Sequence, residues 1–249
     1  MHDMVHDLAK HVAGDELSCI NLVANSNIKR DRLSCHYQSL LNQNSTSWTY
    51  KDFSTKVRAL HLRGCEKLHL PNRAFSNTLC LRVLDLGGCD VSELPNSLYK
   101  LKLLRYLDAS GLPISTMPKF LNRLLNLQTL IISNTCLKIM PTSIGCLRKL
   151  QNFDLSGCVS LSELPVTFGF LSALLFLNLA RCHELHALPE SFGMLGRLQF
   201  LNLSDCYRLH SLPESFCLLH DLTHLDLYRI AIALKCSQTV LIKSLSSSI

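Results

Sequence analysis

The sequence contains no G-x-x-x-x-G-K-[ST] stretch, the glycine-rich loop whose backbone amides cradle phosphates, and no acidic strand end placed to hold magnesium. Binding or hydrolysis of ATP by this chain alone is therefore not expected. There are 12 cysteines but no C-x-x-C pair with partnering histidines, so no metal site is assigned. Met1-His2-Asp3 begins no basic segment that leads into an apolar run and a small-residue cleavage site. The most apolar run, 168–180, is interrupted by Ser172 and Asn178 and reads as core, so no membrane span is expected. The formal charge of +6 is mild. Lysine and arginine are dispersed rather than gathered into a stripe with base-reading groups, which argues against a nucleic-acid partner. Scattered His, Asp and Ser supply no triad, so no catalytic residue is assigned and the protein reads as a non-enzyme.

What the chain does contain is one phrase written eight times. Aligned on the first apolar residue of L-x-x-L-x-L, the copies start at Val57, Leu81, Leu104, Leu127, Leu150, Leu174, Leu198 and Leu222, a spacing of 23 or 24 residues. A period this strict marks a repeat architecture. Within each copy, apolar and variable positions alternate as in a short strand with one buried face. A cysteine recurs at one position in five copies: Cys65, Cys89, Cys158, Cys182 and Cys206. A Leu-Pro or Met-Pro step follows in seven, from Leu70-Pro71 to Leu212-Pro213. Proline lacks a donor and fixes φ, so it ends pairing and turns the chain toward the outer face. The irregular apolar spacing beyond it, as in Phe192, Met194 and Leu195, suits a short helical or 3₁₀ stretch. A single copy cannot bury its leucines, at roughly 1.5 to 3 kcal/mol per buried side chain, whereas stacked copies share one core.

These features resemble the leucine-rich repeat. The resemblance implies an α/β solenoid, a horseshoe of about eight repeats over 57–228 with parallel strands on the concave face. It also implies that the cysteine column serves the backbone of the turn after each strand, and five thiols at one inward position read as reduced rather than disulfide-paired.

The first 16 residues have helical spacing at Val5, Leu8, Ala9 and Val12, with Gly14 as a stop. Met1-His2-Asp3, followed by Val5-His6-Asp7-Leu8-Ala9, resembles the MHD motif that closes the nucleotide-binding module of plant NLR immune receptors. Carried over, His2 would contact the phosphate of ADP and Asp3 would support it; the cofactor belongs to the parent family, ADP or ATP, and none is expected in this chain alone. On this reading 1–16 ends the NB-ARC region, 17–56 is a connector and N-terminal cap, and 229–249 is a divergent tail. Asp31 to Tyr37 resembles the R-H-L-S strand that precedes such repeats. The chain would be a fragment of a longer cytoplasmic receptor, with Leu222 onward frayed.

Alternation places two columns on the concave face. One reads His61, Asp85, Asp108, Ile131, Asp154, Asn178, Asn202 and Asp226; the other includes Tyr106, Phe176, Phe200 and His224. An Asp/Asn row with exposed aromatics suits contact with a protein ligand, a pathogen effector or modified host protein. Asp85 beside Asp108 needs a cation, for which Arg82 and Arg105 are candidates. A basic flank, Arg58, Arg63, Lys67, Arg73 and Arg82, could meet an acidic surface of the nucleotide-binding module. The implied function is recognition and restraint in plant defense. The alternative is a stand-alone intracellular scaffold of the Ras-pathway type, which would have no use for residues 1–16.

Overall fold

A computed structural model describes residues 37–39, 53, 55–65 and 70–230. The MHD-like segment with His2 and Asp3, most of the connector, Lys67 and the tail from 231 lie outside the described residues.

Among the described residues, nine parallel strands form one sheet in chain order. They are β1 (Tyr37–Ser39), β2 (Ala59–His61), β3 (Val83–Asp85), β4 (Tyr106–Asp108), β5 (Thr129–Ile131), β6 (Asn152–Asp154), β7 (Phe176–Asn178), β8 (Phe200–Asn202) and β9 (His224–Asp226). The eight repeats supply β2 to β9, as their leucine phrasing requires. β1 is an additional strand, paired through Tyr37↔Ala59, and it begins at the last residue of the stretch that resembled an R-H-L-S strand. The last repeat is not frayed at Leu222: β9 pairs with β8 in register and Leu222 is buried. One short strand per repeat follows from the phrase itself, because L-x-L offers three alternating residues before the turn residues interrupt it.

After each strand the chain crosses the core and reaches the Leu-Pro or Met-Pro step. Thr116, Ile139, Glu163 and Ala187 form a second row of single parallel bridges just before it. The proline then caps a five-residue 3₁₀ turn: Asn96–Lys100, Lys119–Arg123, Thr142–Cys146, Val166–Phe170, Glu190–Met194 and Glu214–Leu218. Its φ of −58° to −70° suits the ring, and its missing N–H costs nothing at an end where no bond would form.

The core lies between the strands and the 3₁₀ turns. Leucines of the strand phrase are fully buried in every repeat from Leu60 to Leu201 except where Phe153 takes the place, and a phenylalanine column widens the later repeats. Phe153, Phe168, Phe192 and Phe216 stack in sequence at 5.9, 6.3 and 6.4 Å between centroids. The outer row packs backbone against backbone. Gly145, Gly169 and Gly193 stand so near the next turn that a Cβ would meet Thr167, Ser191 or Ser215 carbonyl oxygen at 2.4, 2.1 or 2.3 Å. Hydroxyls tie the same turns together: Thr167 Oγ1 donates to Thr142 O at 2.6 Å and Ser191 Oγ to Val166 O at 2.6 Å.

Cysteine completes four of the joints. Sγ of Cys89, Cys158, Cys182 and Cys206 donates to the carbonyl of Leu62, Ile132, Leu155 and Leu179 in the preceding repeat, at 2.8, 3.1, 3.3 and 3.1 Å. Thr135 stands in this column in the fourth repeat, and its Oγ1 donates to Ile132 O at 3.0 Å. Burial pushes the Cys206 thiol up to about 11 and raises those of Cys158 and Cys182. The Cys89 thiol is raised by a hydrogen bond with the Cys65 side chain and then by burial. Such thiols are inert.

Candidate functional site: the strand face

Two rows of side chains leave the sheet on the face opposite the core. The register sets each beside its counterpart: Val83↔Tyr106↔Thr129 in one row, Asp85↔Asp108↔Ile131 in the other. Strands lie roughly 4.8 Å apart, so neighbours in a row touch.

The Asp/Asn row is partly consumed by the fold. Oδ1 of Asp85, Asp108, Asp154, Asn178, Asn202 and Asp226 accepts the backbone N–H two residues on, at 2.8, 2.8, 2.9, 3.1, 2.8 and 2.9 Å. Each thereby closes the turn that ends its strand. Asp85, Asp108 and Asp154 are buried, so they are turn caps rather than an exposed contact row. Asn178 and Asn202 are half-buried and Asp226 is exposed, so these three both cap and face outward.

The cation that serves the acidic pair is Arg63, not Arg82 or Arg105. Its Nη1 lies 3.1 Å from Asp108 Oδ2 and 3.7 Å from Asp85 Oδ2, while His61 Nδ1 lies 2.7 Å from the latter oxygen. Arg82 and Arg105 precede their strands and extend from the flank, whereas Arg63 follows β2 and reaches across β3. Burial, followed by the Asp85 charge, holds the Asp108 carboxyl above the usual range; the Ser110 hydrogen bonds and Arg63 pull it back. Tyr106 is a second correction. Expected as an exposed aromatic, it is 3% exposed, and burial, then Asp108 and Asp85, push its phenol up.

The aromatic character of the face lies instead on β7 to β9. Phe176 and Phe200 stack at 4.5 Å, and Phe200 stacks on His224 at 6.1 Å. Both phenylalanines are half-buried and His224 is exposed, with Asn178, Asn202 and Asp226 alongside. Sequence reading missed the neighbouring pair His183 and Tyr207, which stack at 4.9 Å on the turns after β7 and β8. Its signal was the extra residue that makes these repeats 24 long. Of the basic flank, Arg58 and Arg82 are joined through Arg82 N–H to Arg58 O at 2.7 Å, and Arg73 is exposed on an adjoining turn. Among the described residues, no group of three or more His, Cys, Asp or Glu could hold a metal, and no helix is long and apolar enough to cross a membrane.

Comparison with known proteins agrees with this architecture. The Leucine Rich Repeat family model matches residues 80–101 and 197–219. The leucine-rich repeat domain of the type III effector XopL is 24% identical, with a TM-score of 0.59, over 71% of this chain and 70% of that one. The plant peptide hormone receptor RGFR1, in complex with RGF2, is 25% identical with a TM-score of 0.54, over 72% of this chain and 33% of that one. A TDR receptor is 26% identical with a TM-score of 0.60, over 72% and 31%. The chain thus spans about a third of each receptor's length. No curated protein matches it. Repeat, fold and strand face together define a leucine-rich repeat protein-interaction domain.

Proposed function

We propose that this chain is the ligand-binding and restraining repeat region of an intracellular plant immune receptor, acting in pathogen recognition and defense. The observation that carries ligand binding is the stacked row of half-buried Phe176 and Phe200 and exposed His224, bordered by Asn178, Asn202 and Asp226. Stacked aromatics present apolar area with little side-chain entropy left to lose, while the amide edges supply orienting hydrogen bonds, the composition of an interface anchor. A relative in fold, RGFR1, occurs in complex with RGF2, which supports a ligand-binding role for the repeats. The occupant here would be a pathogen effector or a modified host protein.

The receptor context is supported by Met1-His2-Asp3 and Val5 to Ala9, which resemble the MHD motif, and by the Leu-Pro phrasing of the repeats. In that context His2 and Asp3 would meet ADP held by an adjoining module, in the cytoplasm, and Arg58 and Arg73 would face an acidic surface of that module.

The test is binding of the full chain to the separately expressed nucleotide-binding module of a full-length relative, with and without ADP. Tight binding that is lost in Arg58→Glu/Arg73→Glu and kept in Phe176→Ala/Phe200→Ala is the expected result. A folded chain that binds no such module would instead favour the stand-alone scaffold.

A further inference from the structure

The turns that lead from each 3₁₀ segment back into the next strand form one flank of the solenoid, and register lines up their equivalent positions. Cations fill its first half. The turn into β4 carries Lys100, Lys102 and Arg105, the turn into β5 carries Arg123, and the turn into β6 carries Arg148 and Lys149. None of these six makes an ion pair within the described residues. Their contacts are to neutral groups: Lys102 Nζ to Arg123 O at 3.4 Å and Lys149 Nζ to Asn126 Oδ1 at 2.7 Å. Lys100 and Arg123 both lie 5.9 Å from the ring centre of Tyr99, two like charges over one aromatic ring.

Large apolar side chains project between these cations and beyond them. Tyr99, Leu103 and Leu125 stand on the basic turns, and Phe170, Met194 and Leu218 continue the row at the end of successive 3₁₀ segments. They are 37% to 58% exposed, although each repeat has a deep core into which a leucine could turn. Acidic residues keep to the other side. Asp90, Glu93 and Glu163 all lie between a strand and its Leu-Pro or Met-Pro step, and Asp221 is the one acid in the flank turns from 99 to 223 other than Glu190 and Glu214 at the 3₁₀ starts.

We propose that this flank docks on an anionic lipid surface. Exposed apolar tips, separated by cations without counter-ions, match the chemistry of the headgroup boundary, where apolar groups insert shallowly and lysine and arginine meet phosphate and carboxylate. Tyrosine suits the same depth. A protein partner would ask for a contiguous anchor in a pocket with a polar rim, whereas these tips are strung out along an edge, two on the turn into β4, one on the turn into β5 and one at the end of each of the last three 3₁₀ segments. The segregation of acids to the opposite flank orients the molecule with the strand face left open at the side. The flank shares no residue with the aromatic row, so the two readings stand or fall separately.

The experiment is flotation of the full chain with vesicles of phosphatidylcholine alone, or of phosphatidylcholine with phosphatidylserine. Partition into the anionic vesicles, released by high salt and weak without phosphatidylserine, is expected. Arg105→Glu/Arg123→Glu/Arg148→Glu should lower it about a hundredfold, and Leu103→Ser/Leu125→Ser roughly tenfold. Arg208→Glu/Arg229→Glu on the opposite flank, and Phe176→Ala/Phe200→Ala on the strand face, should leave it unchanged, with circular dichroism confirming each fold. Equal partition with and without phosphatidylserine, or equal loss in the opposite-flank variant, overturns the proposal. So does retention on polyglutamate beads without vesicle binding, which would assign the flank to an acidic protein.

Discussion

The guanidinium of Arg63 lies 3.1 Å from the carboxylate of Asp108, two strands away. It passes Asp85 on β3 to get there, and the side chain is itself about a third exposed. One partly solvated cation is therefore shared by two buried carboxylates on neighbouring strands, and His61 contacts the nearer of them at 2.7 Å.

Removing that cation should be costly. Arg63→Ala leaves both acids buried without a guanidinium, which breaks a pair whose other half cannot reach water. A loss of about 2 kcal/mol in urea unfolding is expected, below the full cost of a buried pair because Arg63 is partly hydrated. Arg82→Ala, at a position that also seemed able to serve the acids, should change stability by less than about 0.5 kcal/mol.

Asp108→Asn should cost far less than Arg63→Ala at neutral pH. Asparagine keeps the Oδ1 acceptor for the Ser110 N–H, as Asn178 and Asn202 do for theirs. The pH dependence carries the sign. The folded carboxyl titrates above its unfolded value, so the native state holds more protons in that window, and this group's contribution to stability falls as pH rises through it. Unfolding curves collected upward from about pH 4, near the unfolded value, should show that decline in the wild type and a weaker one in Asp108→Asn.

The outer row makes a glycine prediction with an internal control. At Gly169 a Cβ would meet Ser191 O at 2.1 Å, and that oxygen belongs to backbone that is packed on both sides. Gly169→Ala should destabilise by about 1 to 3 kcal/mol. At Gly196 a Cβ meets nothing within 4 Å, so Gly196→Ala should lie within about 0.5 kcal/mol of wild type by the same denaturation.

Among the described residues, cysteine labelling separates two populations, with half-buried Cys217 between them. Cys80, Cys136 and Cys146 are exposed, while Cys65, Cys89, Cys158, Cys182 and Cys206 are buried. A thiol reagent at mildly alkaline pH should modify the first three rapidly in the native protein. The second five should react only on unfolding, as quantified by mass spectrometry. Rapid native labelling of Cys182 would show that the column is open to solvent.

The periodicity of the leucines carried the fold almost unaided, because strand, buried face and stacking all follow from L-x-x-L-x-L repeated every 23 or 24 residues. Proline marked the start of each 3₁₀ turn for the same local reason. The site was less legible. Alternation turns Asp85, Asp108 and Asp154 away from the core, but the turn bond each accepts two residues on depends on how the chain bends after the strand. Tyr106 illustrates the same limit: its position is outward, between Val83 on β3 and Thr129 on β5, yet it is buried. Arg63 itself looked like one cation of a basic flank, since only the folded register brings it over two later strands. The mixed basic and apolar edge is likewise dispersed in sequence and becomes a row only when turns 23 or 24 residues apart are stacked.

The cysteine column has a direction. The thiols of Cys89, Cys158, Cys182 and Cys206 each reach backward, from their own repeat to a carbonyl of the one before, so pulling on the later end opens these joints in reverse chain order. Peeling under force from that end would release a sulfhydryl at Cys206, then at Cys182, then at Cys158, and afterwards pass two repeats in silence where Thr135 and Leu112 stand in the column. The solenoid thus keeps a tally of its own unzipping, written in sulfur and read in steps of one repeat.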